Sequence, residues 1–269
     1  MDAPLRYPAL VLAGKRREDD PVAKYKGVSH KAIAIIGGRP MIAHVLEALA
    51  ESAWIGDIFI STEDVESFRA RADIVAYTPA THITEAASSI CESVQRAVAR
   101  GDVKPPFFVV TADHALLTPD MIEHFWRVAQ QAMTKEGADF ALAFVPRHII
   151  RAAYPDTKRT YLEFRDDGYS GCNMYGFLTV KSLKILHFWR EVESKRKKPL
   201  DLVRAFGFGN LIRYLLRLHT IDDMLARAGR IVGARPVVIK MPWAEASIDV
   251  DKVSDVVIVE DILARRKGI

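Results

Sequence analysis

The stretch Ala9-Leu10-Val11-Leu12-Ala13-Gly14 is apolar without alternation and ends on a glycine. Such a run reads as a strand buried on both faces, the kind found inside a mostly parallel sheet. A loop follows that carries Lys15, Arg16, Arg17, Lys24, Lys26 and Lys31, and then the turn Gly37-Gly38-Arg39-Pro40. Met41, Ile42, Val45, Leu46 and Leu49 come next at helical spacing, with Pro40 expected at the first helical position, where its missing N–H costs nothing. Glycine lets a backbone approach a phosphate, and lysines and arginines offset its charge, so the loop is a candidate polyphosphate grip. It reads equally as a solvated charged loop. It is neither a P-loop nor a dinucleotide fingerprint, because no Gly-Lys-Ser/Thr and no G-x-G-x-x-G occurs in it.

Outward from this start, strand and helix patterns alternate. Ile55 to Ser61, Asp73 to Tyr77, Pro106 to Thr111 and Ala138 to Val145 read as strands. Thr84 to Arg100 reads as a helix, and Thr118-Pro119-Asp120 as the cap, first-turn proline and first-turn acid of another. This order predicts an α/β fold, a Rossmann-like three-layer sandwich with helices on both faces of the sheet. The second half is less regular. Strands are expected at Tyr161 to Phe164 and Met174 to Thr179, a helix from Val180 to Ser194, a basic and apolar helical segment from Leu200 to Leu218, a strand at Pro236 to Lys240 and a closing helix from Val253 to Arg266. The expected organisation is one domain over residues 1–269 with a helical insertion or lid around 181–230.

Composition sets wide bounds. The chain has 269 residues, 49% hydrophobic and 27% charged, as soluble globular proteins do. Its net charge of +4 permits anionic ligands such as nucleotides and gives no reason to expect nucleic acid. Cys91 and Cys172 supply neither a disulfide framework nor a zinc spacing. No apolar run reaches the roughly 18 residues of a membrane helix, and the start lacks the pattern of a signal peptide, so a cytoplasmic location is expected.

Ligands of open parallel sheets bind beyond the carboxyl ends of the strands. Besides the Gly14 loop, two acidic positions fall there. Asp113 directly follows an apolar strand and either holds a divalent cation or caps the next turn. Its neighbour His114 reads as structural. Ser247-Ile248-Asp249-Val250-Asp251 alternates, which puts Asp249 and Asp251 on one face, as a metal pair or as a solvated strand end. Asp255 fits the first turn of the closing helix as a capping acid. The basic, apolar segment 195–218 suits packing on its own domain, a homodimer interface or weak contact with a membrane surface.

Taken together, Leu12-Ala13-Gly14, Lys31, Gly38-Arg39-Pro40-Met41-Ile42, Thr111-Ala112-Asp113 and Ile248 to Asp255 resemble the MobA-like nucleotidyltransferases over nearly the whole chain. The resemblance implies a GT-A-like fold and Mg²⁺- or Mn²⁺-dependent transfer of a nucleoside monophosphate from an NTP, CTP first, to a small phosphorylated sugar, polyol or similar acceptor. It implies that Leu12, Ala13, Gly14, Lys15 and Ala112, with Ser88, Ser89 and Ser93, line the nucleotide site. Lys31 would contact phosphates, helped by Arg16 or Arg17. Asp113, Asp251 and Asp249 would hold the metal. Gly171 and Asn173 would flank the acceptor, and Arg159 is either the ligand of its phosphate or part of a solvated turn. Lys15 departs from the family's second glycine, and Gly14 to Lys31 is longer than usual. A glycosyltransferase with a nucleotide-sugar donor, and a non-catalytic nucleotide-binding module, are the competing readings.

Overall fold

A computed structural model describes residues 6–15, 19–157, 159–195 and 208–268. Among the described residues there are ten strands: β1 (Tyr7–Leu12), β2 (Ile35–Ile36), β3 (Arg39–Pro40), β4 (Ile55–Thr62), β5 (Ile83–Glu85), β6 (Phe107–Thr111), β7 (Phe140–Pro146), β8 (Leu162–Glu163), β9 (Gly168–Phe177) and β10 (Pro236–Lys240). Eight form the central sheet in the order β10-β7-β9-β6-β1-β4-β5, with β8 paired to β9. The pairings β1–β4, β1–β6, β4–β5 and β7–β10 are parallel. β9 runs antiparallel between β6 and β7. A mostly parallel sheet flanked by helices is what the sequence predicts.

β1 shows why its run is uniformly apolar. Ala9 and Val11 face one core while Leu10 and Leu12 face the other, because successive side chains of a strand alternate. The first core lies under helices Met41–Glu51 and Pro119–Glu136, the second under Ile90–Arg100 and the helix that begins at Leu183. A third cluster seats the closing helix Val253–Arg266 on Ile36, Met41, Leu116, Ile248 and Val250. Gly37 (φ 58°) and Gly38 (φ 91°) make the tight turn from β2 to β3. A Cβ on Gly37 would lie 2.7 Å from Leu263 Cδ1 and force that side chain to shift, and the left-handed φ favours glycine there as well.

Several expected elements differ. Asp73 to Tyr77 is not a strand: Ala72–Val75 is a short helix that buries Ile74, and β5 lies further on. A short apolar run fits either form, and Asp73 pairing with Arg71 favours the helical turn. The expected helix from Thr84 is split. Its first residues are β5, and the helix starts at Ile90 behind Ser89, whose hydroxyl accepts the Glu92 N–H. Pro40 is the residue before its helix, which begins at Met41. β9 starts at Gly168, well before Met174, and a 3₁₀ turn over Val180–Ser182 precedes the helix Leu183–Lys195. Within 200–218 the helix Phe208–Leu215 is described; residues 196–207 lie outside the described part. Thr118 caps its helix and Pro236 to Lys240 is a strand, as expected.

Candidate active site

The register of the sheet brings four strand ends to one edge. Leu12 pairs with both Ser61 and Thr111, and Thr62 pairs with Glu85. Asp113 stands just past the end of β6. Its backbone carbonyl accepts the Val250 N–H at 3.1 Å, which lays the late acidic segment alongside it. Ile248 and Val250 are buried, so Asp249 and Asp251 point the other way.

Lys31 begins the 3₁₀ turn Lys31–Ile33, capped by His30, whose Nδ1 accepts the Ala32 N–H at 3.0 Å. Its ammonium donates to Asp113 Oδ2 at 2.8 Å and to Asp251 Oδ1 at 3.1 Å. Burial pulls the Lys31 pKa down, but the two carboxylates more than offset that and leave it above the ordinary lysine value. Thr111 Oγ1 donates to Asp113 Oδ1. Asp249 accepts from Arg159 Nη1 at 3.2 Å and from Asn173 Nδ2 at 3.0 Å. Its pKa is pushed up to about 6 by burial and by the neighbouring charges of Asp113 and Asp251, against the pull of Arg159. Asp255 accepts the N–H groups of Asp251 and Lys252, both at 3.1 Å, the capping role expected of it. Burial pushes His114 down to about 4, so its imidazole is neutral at pH 7, as a structural side chain.

The site therefore gathers Lys31, Asp113, Asp249, Asp251, Asn173 and Arg159. Arg159 is not in a solvated turn, since its side chain is only 8% exposed. Asn173 reaches Asp249 because β9 is irregular there. Leu142 of β7 pairs with Tyr175, whereas Phe144 pairs with Gly171, so extra residues of β9 fit between them. Asn173 sits in that bulge with φ 52°, a left-handed conformation that re-aims its side chain.

The other expected residues fall into three groups. Leu12, Ala13, Gly14 and Ala112 lie at the ends of β1 and β6 beside Asp113. Ser88, Ser89 and Ser93 are occupied locally: Ser88 with Glu92, Ser89 as a cap, and Ser93 Oγ accepting the Ala87 N–H at 2.9 Å. Arg16 and Arg17 lie outside the described residues. One residue was not foreseen. The Glu63 carboxylate, just past β4, accepts the Lys15 N–H at 2.9 and 3.0 Å and faces His30 Nε2 at 3.3 Å. It thereby ties the loop after β1 to the turn that bears Lys31. Its position at a strand's carboxyl end was the available signal.

The donors at the centre are carboxylate oxygens, which suit Mg²⁺ or Mn²⁺. Among the described residues they form no cage of three or more metal-binding side chains. Burial raises Asp249 most, and the charges of Asp113 and Asp251 add repulsion that a divalent cation would relieve, so the site fits such an ion bound by one or two carboxylates and completed by substrate oxygens.

The sequence model of the MobA-like NTP transferase domain matches residues 9–160, more than half of the chain. The chain belongs to this family and is a transferase of the nucleotidyltransferase class. No curated protein matches it in sequence. A solved structure described as a hypothetical transferase from Thermus thermophilus is 28% identical, with 94% of this chain and 100% of that one covered at a TM-score of 0.78. The fold is shared with 4-diphosphocytidyl-2C-methyl-D-erythritol synthase from Anaerococcus prevotii (10% identity, 98% of each chain, TM-score 0.59). It is shared too with CMP:2-keto-3-deoxy-manno-octonic acid synthetase complexed with CTP (12% identity, 97% and 99% covered, TM-score 0.55).

Proposed function

We propose that this chain transfers a nucleoside monophosphate from an NTP to a phosphorylated sugar, polyol or similar small acceptor and releases pyrophosphate. The observation that carries the reading is the Lys31 ammonium held between Asp113 and Asp251 at the carboxyl edge of the sheet. CTP is the first nucleotide to try, after the names of the two cytidylyl-transferring neighbours.

In-line displacement at the α-phosphorus asks for positioning and charge neutralisation more than covalent chemistry. Asp113 and Asp251, with Asp249 beside them, would hold Mg²⁺ or Mn²⁺, which neutralises phosphate charge when bound. Lys31 stabilises the charge that develops on the departing pyrophosphate, with Arg16 or Arg17 as its partners. Leu12, Ala13, Gly14, Lys15 and Ala112, with Ser88, Ser89 and Ser93, line the nucleotide. Arg159, Gly171 and Asn173 border the acceptor. Residues 181–230 serve as a helical insertion or lid in one domain. The segment 195–218 is a homodimer or membrane-surface contact, consistent with the exposed Leu215, Leu216 and Leu218.

The test is pyrophosphate release with each NTP, Mg²⁺ and a panel of phosphorylated acceptors. Asp113→Asn and Lys31→Ala should each lower turnover by about a hundredfold or more. Turnover at the unsubstituted level in both variants would remove the assignment. Release of a nucleoside diphosphate in place of pyrophosphate would make the chain a glycosyltransferase.

A further inference from the structure

Histidine is an uncommon residue at the cap of a helical turn. Ser, Thr, Asn and Asp are the usual ones, and any of them could accept the Ala32 N–H. The His30 ring accepts it at Nδ1, 3.0 Å away. A nitrogen that accepts carries no proton, so the ring is neutral and its one N–H is at Nε2. Nε2 is buried, and the carboxylate facing it is Glu63, with Oε1 3.3 Å away. The ring stands edge-on to Phe68, centroids 5.2 Å apart at 80°, a packing that holds its plane. A serine or aspartate cap would end at the Ala32 N–H. The imidazole reaches a second partner on its opposite side, and that reach is what the choice of histidine adds.

The second partner is itself engaged. Both Glu63 oxygens accept the Lys15 N–H, at 2.9 and 3.0 Å. Gly14 lies against the same carboxylate, since a Cβ there would stand 3.7 Å from Glu63 Oε2. A polar path thus runs from the loop after β1 through Glu63 and the His30 ring to the turn Lys31–Ile33. Its loose step is the 3.3 Å one. That separation exceeds the usual N–H···O range and leaves Nε2 with no hydrogen-bond partner among the described residues. A buried donor short of its acceptor costs free energy, and contacts of this kind in active sites tighten when substrate binds. Lys31, at the far end of the path, donates to Asp113 and Asp251, so reaching a phosphate means a shift of its side chain. A turn fixed at its cap limits where that side chain can go.

We propose that His30 is a positioning residue: phosphates gripped by the loop after β1 draw Glu63 onto the His30 Nε2–H, and the closed link sets the Lys31 turn for those same phosphates. This role rests on nucleotidyl transfer at the Lys31 site and names the part that makes loop and lysine act together.

The test follows the imidazole ¹⁵N signals of the full chain, with tripolyphosphate and Mg²⁺ as the probe common to every NTP. His30 should show the neutral Nε2–H form at pH 7. Its Nε2–H proton should move downfield saturably as the probe binds, in step with the Lys15 amide. Two substitutions then separate the ring's two contacts. His30→Asn keeps an acceptor where Nδ1 stands and loses the Nε2–H; His30→Gln keeps a donor near Nε2 and loses the cap. In the pyrophosphate-release assay, His30→Asn should lower kcat about tenfold or more and change KM for the NTP by less than about threefold, because orientation is needed in the transition state more than in binding. His30→Gln should retain more of kcat than His30→Asn. A merely structural cap would rank them the other way, since Gln is the one that loses it. The role is overturned if the probe moves Lys15 and leaves His30 in place, if His30 carries its proton on Nδ1, or if His30→Asn turns over as fast as His30→Gln or faster. A probe that moves neither signal removes the polyphosphate grip and the role with it. The titrations need no variant, so a folding defect in either substitution leaves them decisive. A His30 response without pyrophosphate release from any NTP would sink nucleotidyl transfer and leave the link between loop and turn standing.

Discussion

Lys31 has two partners to serve with one ammonium. Without ligand it neutralises Asp113 and Asp251; in the proposed transfer it is needed on the phosphates. In the proposed reaction a divalent cation would have to displace it, so lysine and metal would compete for the same carboxylates. Lys31→Met is therefore expected to bind Mn²⁺ more tightly than the unsubstituted chain when no nucleotide is present, by about tenfold, equivalent to about 1.4 kcal/mol. Titration followed by electron paramagnetic resonance measures this; unchanged or weaker Mn²⁺ binding would show that Lys31 does not guard the site. Glu63 gives a prediction of another kind. Burial alone would raise its pKa, but the His30 contact and the Lys15 N–H hold it below the ordinary value. A depressed carboxylate stabilises the fold fully above its unfolded value, and that contribution is lost as pH falls through its folded value. Glu63→Gln should accordingly flatten the acid limb of the stability curve, which acid titration of circular dichroism would reveal; a limb of unchanged slope would argue against the clamp.

At the scale of elements, the legible parts were those whose residues speak locally. The run Ala9 to Gly14, the Thr118-Pro119-Asp120 start and the closing helix carry their own periodicity or caps, and each forms as expected. Asp113 was legible because a strand's direction fixes which end is open; Asp249 and Asp251, expected at a strand end as well, follow the 3₁₀ turn Ala244–Ser247 instead. What failed was local ambiguity settled by distant packing. Asp73 to Tyr77 has the composition of a strand, yet Ile74 packs as part of a helical turn. Thr84 and Glu85 look like a helix start, but pairing with β4 takes them first. Arg159 could not be placed, because its burial depends on Asp249 and Asp255, some ninety positions away in sequence. Glu63 was overlooked because nothing near it in sequence suggests the Lys15 N–H as its partner. The start of the helix at Ile90 permits a direct check. Ser89→Ala removes the acceptor for the Glu92 N–H and should cost about 1 kcal/mol, measured by denaturant unfolding. No loss would mean that the neighbouring Ser88–Glu92 contact suffices to start the helix.

For the molecule as a whole, β9 is the element that completes the site. It enters the sheet against the direction of its neighbours and joins the β1–β4–β5–β6 half to β7 and β10. Its bulge then presents Asn173 to a residue from the far end of the chain. The contact between Lys31 and Asp251 closes a separation of 220 residues. Contacts of such span form late, since loop closure must be met before they return anything. On refolding, far-UV circular dichroism should recover ahead of the fluorescence signal of a bound nucleotide analogue, and simultaneous recovery would contradict late closure. A chain that has made its sheet without docking its last acidic segment would have nearly the secondary structure of the finished protein and none of its ligand site. Ligand binding is thus a stricter criterion of nativeness than helix and strand content, and a preparation judged by the latter alone can be well structured and inert.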